Sequence, residues 1–124
     1  MSRDIVADAL NMMWNAKKAG KTKVSVNYHS KLLTSILALA KLRGYVKSYT
    51  VDGTKLDIEL GKINACGSIK PRFVVQVKEI EKFISRYLPA KNMGIIVIST
   101  SQGLMTHETA MEKNIGGSLI AYMY

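Results

Sequence analysis

Few residues in this chain are equipped for covalent or metal chemistry. His29 and His107 are the only histidines and Cys66 the only cysteine, and the three do not form a metal-ligand spacing. A Cys–His nucleophile pair is formally available, yet a single cysteine is more often a small buried apolar residue. The glycines compose neither a phosphate loop nor a dinucleotide fingerprint, because GTKLDIELGK has the wrong spacing and falls on a predicted hairpin. No cofactor and no metal are therefore expected, and catalysis lacks its parts. One segment does concentrate hydrogen-bonding groups. Ser99, Thr100, Ser101, Gln102 and Gly103 bring three hydroxyls, an amide and backbone N–H groups to one junction between a predicted buried strand and a predicted helix cap. Hydroxyls both donate and accept, which suits base edges, 2′-OH groups and phosphates. The same residue types also make ordinary turns, and at this point both readings stand.

The charge distribution narrows the choice of partner. Eighteen Lys and Arg against nine Asp and Glu give a net +9, with a pI near 9.7. No acidic residue lies between Asp8 and Asp52, where Lys17, Lys18, Lys21, Lys23, Lys31, Lys41, Arg43 and Lys47 all fall. A second acid-free stretch, Lys62 to Lys78, carries Lys70 and Arg72, and a third, Lys82 to His107, carries Arg86 and Lys91. The acids are grouped instead at Asp57/Glu59, Glu79/Glu81 and Glu108/Glu112. Segregated positive charge is the footprint of a polyanion-binding protein, although a basic surface can also serve solubility alone. A membrane partner is not expected. The longest apolar run, Leu32 to Leu42, is interrupted by Thr34, Ser35 and Lys41 and falls short of the roughly 20 residues a span needs. The opening MSRDIVADAL lacks the order of a signal peptide, and a lone cysteine suits a reducing cytoplasm.

The elements that must position these residues are legible from periodicity. Ile5, Ala9, Met12 and Ala16 predict a helix over 4–18 that ends at Gly20. Val24 and Val26 mark a short strand over 23–27. Ser30 offers an N-cap to a second helix striped by Leu32, Leu33, Ile36, Leu37 and Ala40, with Gly44 as its stop. A hairpin follows: Tyr45 to Val51, an Asp52-Gly53 turn, then Leu56, Ile58 and Leu60 alternating inward. Beyond a Gly-containing connector, GKINACGSIKP, come a strand over 72–77, a short helix or turn over 78–87 closed by Pro89, and the continuous apolar strand GIIVIS. The polar loop TSQG leads to a helix capped by Thr106 and running to about Lys113, and Gly116-Gly117 opens a last strand ending at Tyr124. The fold class is α+β in two small subdomains: an α-β-α-β-β half over 1–62, and a β-rich half with short helices over 63–124.

At its C-terminal segment the chain resembles a known family. ISTSQGLMTHETAMEKNIGGSLIAYMY is similar to the end of the small-subunit ribosomal protein eight family, whose signature is a Ser/Thr-Thr-Ser-x-Gly loop, then Met, Ala and a Gly-Gly strand. These are Ser99 to Gly103, Met105, Ala110 and Gly116-Gly117 here. DALNMMWNA, Ser30-Lys31-Leu32 and Arg43-Gly44-Tyr45 extend the likeness over the whole chain, and KINACGSIKPRF with YLPA resembles the archaeal and eukaryotic branch. The resemblance implies a cytoplasmic, ribosomal, primary rRNA-binding protein, monomeric when free, that grips an irregular central-domain stem and helps assemble the platform of the small subunit beside neighbouring ribosomal proteins. It implies that Ser99, Thr100, Ser101 and Gly103, in a loop with Gln102, read the stem, and that Lys31, Lys70 and Arg72 contact its backbone. Met12 and Trp14 stand where bacterial members usually carry arginines, so Trp14 either stacks on a base or packs against a neighbouring protein. Two rivals stay open: a non-ribosomal RNA-binding or translational-repressor module, a role some members also play by binding their own mRNA, and a small enzyme.

Overall fold

The computed structural model describes residues 5–69, 73–90 and 93–124. They divide into two compact units, 1–67 and 68–124, so the border falls after Gly67. The first unit runs α1 (Ile5–Lys18), β1 (Lys23–Val26), α2 (Lys31–Leu42), β2 (Val46–Asp52) and β3 (Lys55–Leu60). Its antiparallel sheet has the order β1-β3-β2, with α1 against β1 and α2 against β2. Alternation buries Val24, Val26, Leu56, Ile58 and Leu60, and Leu33, Ile36, Leu37 and Ala40 of α2 are buried as well. Three helices of the molecule end alike. A left-handed residue (Gly20, Gly44 or Asn114) lets the next N–H reach back to an alanine carbonyl: Lys21 to Ala16, Tyr45 to Ala40, Ile115 to Ala110.

Two expectations for this unit need correction. α1 buries Val6, Leu10 and Met13 alongside Ala9 and Ala16, while Met12 is 42% exposed and Ile5 only half-buried. Val6, Leu10 and Met13 also keep helical spacing, and this face removes more apolar surface from water than the expected stripe. The hairpin turn is Gly53-Thr54, not Asp52-Gly53, because Asp52 pairs with Lys55 and Val51 with Leu56. This loop needs a positive φ only at its first position, where Gly53 has +63°, whereas an Asp52-Gly53 turn would also demand one of Asp52. The shift preserves the inward face of β3. At the other end of β2, a bulge between Val46 and Ser48 turns Val46 inward opposite Leu60.

β4 (Cys66–Ser68) crosses the border between the units. The second unit continues with β5 (Val74–Val75), a 3-10 turn (Val77–Glu79), α3 (Ile80–Tyr87), β6 (Ile95–Thr100), β7 (Gly103–Thr106), α4 (His107–Lys113) and β8 (Gly117–Met123). β6 lies between β7 and β8, antiparallel to both, and β5 pairs with β8. Ile95 to Ile98 are buried on both faces of the sheet, as the unbroken apolar run predicts. Ile96, Ile98 and Leu119 meet Ile80, Phe83 and Ile84 in one core.

The strand expected over 72–77 contracts to Val74–Val75, with Arg72 outside the described residues. Gln76 leaves the sheet, and its N–H donates to Glu79 Oε1 at 2.9 Å, which starts the 3-10 turn ahead of α3. The largest departure lies after Ser99. The segment expected to be a loop leading straight to a helix is a tight β-hairpin, and β7 was not foreseen.

Candidate nucleic-acid interface

β6 and β7 close on each other through Thr100 opposite Gly103, which leaves only Ser101 and Gln102 at the tip. The Thr100 hydroxyl donates to the Gly103 carbonyl at 2.8 Å and accepts the Gln102 N–H at 3.1 Å. Gly103 has a φ of +110°, a region that side chains rarely adopt, although the space around it is open. Backbone conformation, not crowding, thus demands glycine at this point of the hairpin. With Thr100 engaged inside the turn, Ser101 stands exposed at the tip, and its side chain has no hydrogen-bond partner among the described residues.

Register extends the site beyond the tip. Ser99 pairs with Leu104 on β7 and with Ser118 on β8, and Ser118 pairs with Val74 on β5. Directly paired residues share a face, so Val74, Ser118, Ser99 and Leu104 form one row across four strands. Ser99, Ser118 and Leu104 are half-buried, and Val74 is 80% exposed. Sequence reasoning missed Ser118, Leu104 and Val74. Only strand pairing brings them to the hydroxyl cluster, and the one available signal was the Gly-Gly before Ser118. A Cβ at Gly117 would run into the Ser99 carbonyl, and one at Gly116 into that of Val75, so the two glycines permit the close approach of β8.

Below the row, β7 passes into α4. The Thr106 hydroxyl accepts the Thr109 N–H at 3.3 Å, the cap predicted from sequence. Buried His107 uses Nδ1 to accept the Ile96 N–H at 3.0 Å, continuing the ladder where β7 has ended. His107 therefore serves the backbone of this unit. Cys66 is buried in the first unit, donates to the Leu10 carbonyl at 3.4 Å, and burial pushes its thiol up to about 12. A thiol so raised holds no appreciable thiolate at neutral pH.

Lys31 is exposed at the first position of α2. Ser30 caps that helix by accepting the Leu33 N–H at 3.2 Å, and Thr34 Oγ1 donates to the Lys31 carbonyl at 3.0 Å. Next to it, His29 Nε2 donates to the Gly53 carbonyl at 2.8 Å and ties the β2–β3 turn to the start of the helix. No acid occupies the first turn of α2. A cation at a helix N-terminus opposes the dipole by about 0.3–1 kcal/mol, a local cost that an arriving anion reverses. Lys31 belongs to the first unit and Ser99 to Gly103 to the second, and Lys70 and Arg72 lie outside the described residues. Trp14 is half-buried on α1, with the Lys18 ammonium 5.0 Å from its ring centroid.

Comparison with known proteins identifies the family. The family model described as Ribosomal protein S8 matches residues 4–124. A relative named small ribosomal subunit protein uS8, from Nanoarchaeum equitans (strain Kin4-M), is 43% identical, and the likeness covers all of this chain and all of that protein. A match of that extent, at that identity, leaves no segment of the chain unaccounted for: the chain belongs to the ribosomal protein S8 family.

Proposed function

We propose that this protein is a structural constituent of the small ribosomal subunit that binds an irregular stem in the central domain of the small-subunit rRNA and helps assemble the platform. The observation that carries the reading is the division of labour at the hairpin tip. Thr100 shapes the turn with its own hydroxyl, and Ser101 and the Ser99–Ser118 pair keep theirs available to a ligand. Hydroxyls at a hairpin tip and along the sheet row behind it suit the wide minor groove of an RNA helix, where 2′-OH groups and base edges are displayed. Lys31 at the start of α2, together with Lys70 and Arg72, supplies phosphate contacts that hold register without reading sequence. The working site is the cytoplasmic ribosome, and the partners are rRNA and neighbouring small-subunit proteins. The chemistry is binding alone: Cys66 is kept protonated by burial and His107 is bonded to the strand beside it. Hydroxyl-radical footprinting on whole small-subunit rRNA tests this. Protection of one central-domain stem is expected; diffuse protection along the rRNA would replace the reading with a generic RNA binder.

A further inference from the structure

We propose that the outer edge of β1 is a strand-addition site, which accepts an extended acidic segment of a partner protein as a fourth strand of the first unit's sheet. Among the described residues, the order β1-β3-β2 leaves β1 with one unpaired side. The Thr22 carbonyl accepts the Leu60 N–H at 2.7 Å, which sets the phase of the ladder. In that phase Val24 and Val26 turn their backbone groups toward Ile58 and Leu56, and Lys23 and Ser25 turn theirs outward. A groove of about 430 Å³ runs beside this edge, lined by Met12, Asn15, Ala16 and Ala19 on one side and by Lys23 to Ser25 on the other. Met12, the apolar residue that α1 leaves 42% exposed, lies within it.

An added strand would thus find free N–H and C=O groups along one side and the apolar Met12, Ala16 and Ala19 for every second side chain. Nucleic acid has no alternating N–H and C=O pattern to offer such an edge, so the occupant is polypeptide. Its charge follows from the lining: among the described residues Lys21 and Lys23 border the groove and no acid does. The acids nearest in register, Asp57 and Glu59, are on β3. Glu59 is already engaged there, accepting from Ser48 at 3.3 Å and pairing with Lys47 at 3.7 Å. The opposite edge of the sheet is unsuited, because the bulge between Val46 and Ser48 breaks the outer ladder of β2, a common means of discouraging added strands.

Amide hydrogen exchange on the full chain tests the site, with a short blocked peptide alternating valine and glutamate as probe. At about 1 mM peptide the Lys23 and Ser25 amides should exchange at least about tenfold more slowly, and a peptide with lysine for glutamate should protect them little. Ser25→Pro removes an outward N–H that an edge strand can forgo, and should abolish the protection. Met12→Glu, on the exposed face of α1, should do the same by repelling the peptide, and needs no change in β1. Failure of the acidic peptide to protect either amide would overturn the proposal, as would equal protection by the lysine peptide. Protection by an rRNA stem without peptide would assign the groove to RNA, and protection that grows with protein concentration alone would assign it to a second copy; either result overturns the proposal. None of these readouts depends on whether the hairpin of the second unit reads RNA.

Discussion

Thr100 and Ser101 are adjacent residues of similar chemistry with different tasks. The Thr100 hydroxyl is held at both its donor and an acceptor position inside the turn, whereas the exposed Ser101 side chain has no partner among the described residues. Ser101→Ala should therefore leave the hairpin intact and weaken the cognate stem by about 1–2 kcal/mol, the size of a lost hydrogen bond whose partner stays unpaired. Unrelated double-stranded RNA, held by phosphate contacts, should hardly notice. Lys31→Ala should behave in the opposite way. It should weaken both RNAs similarly and make the log-log salt slope shallower by about 0.7–0.9. Because Lys31 opposes the dipole of α2, the same change should leave thermal stability equal or slightly higher. Binding titrations of both variants against both RNAs check the assignment, and equal losses on both RNAs for Ser101→Ala would show that the loop does not read. At this scale the hydroxyl cluster was legible from residue types alone. The separation of Thr100 from Ser101 was not, because it depends on a hydrogen bond across a turn to the Gly103 carbonyl, and no local signal marks Gly103 as a strand residue.

Elements were legible where a single period dominates a long window, and least so where tertiary pairing decides. α2 matches its stripe, its Ser30 cap and its Gly44 stop, since all three signals are local. β7 escaped notice because Gly103-Leu104-Met105-Thr106 is short, begins with glycine and ends in a helix cap, so only its pairing with Val97 to Thr100 makes it a strand. In α1 the neighbours Met12 and Met13 both fit a helical period, and the face was settled by how much Val6 and Leu10 bury. The β2–β3 hairpin shows that the inward face can be right while the turn is displaced, because the correct and expected registers keep Leu56, Ile58 and Leu60 on the same side. Ile58 is 1% exposed at the centre of this sheet. Ile58→Asp should destabilise the free protein by roughly 3 kcal/mol or more, by burying an unpaired charge. Thermal melting checks this, and a variant that melts like the parent would mean that Ile58 faces solvent.

At the scale of the whole molecule, +9 is carried on a chain in which six of the nine acids fall in three pairs. If about five Lys or Arg contacts release counterions, the log-log salt slope should lie between about −3.5 and −4.5, and affinity should fall on the order of 10²-fold between about 50 and 200 mM salt. A slope near zero would make the charge a solubility device. Composition motivates this electrostatic expectation, and the family likeness motivates both the proposed target and the proposal that the Ser99 to Gly103 segment meets it. That claim rests on the hairpin tip, and directed hydroxyl-radical probing from the tip tests it most directly. Gln102→Cys places a thiol at the exposed turn, and near pH 8 a tethered iron reagent will label it in preference to Cys66, whose buried thiol is pushed up to about 12. With whole small-subunit rRNA, the account predicts strand cuts confined to the two sides of one minor groove in a central-domain stem. Cuts scattered over the rRNA, or none above background while the protein remains bound, would contradict it.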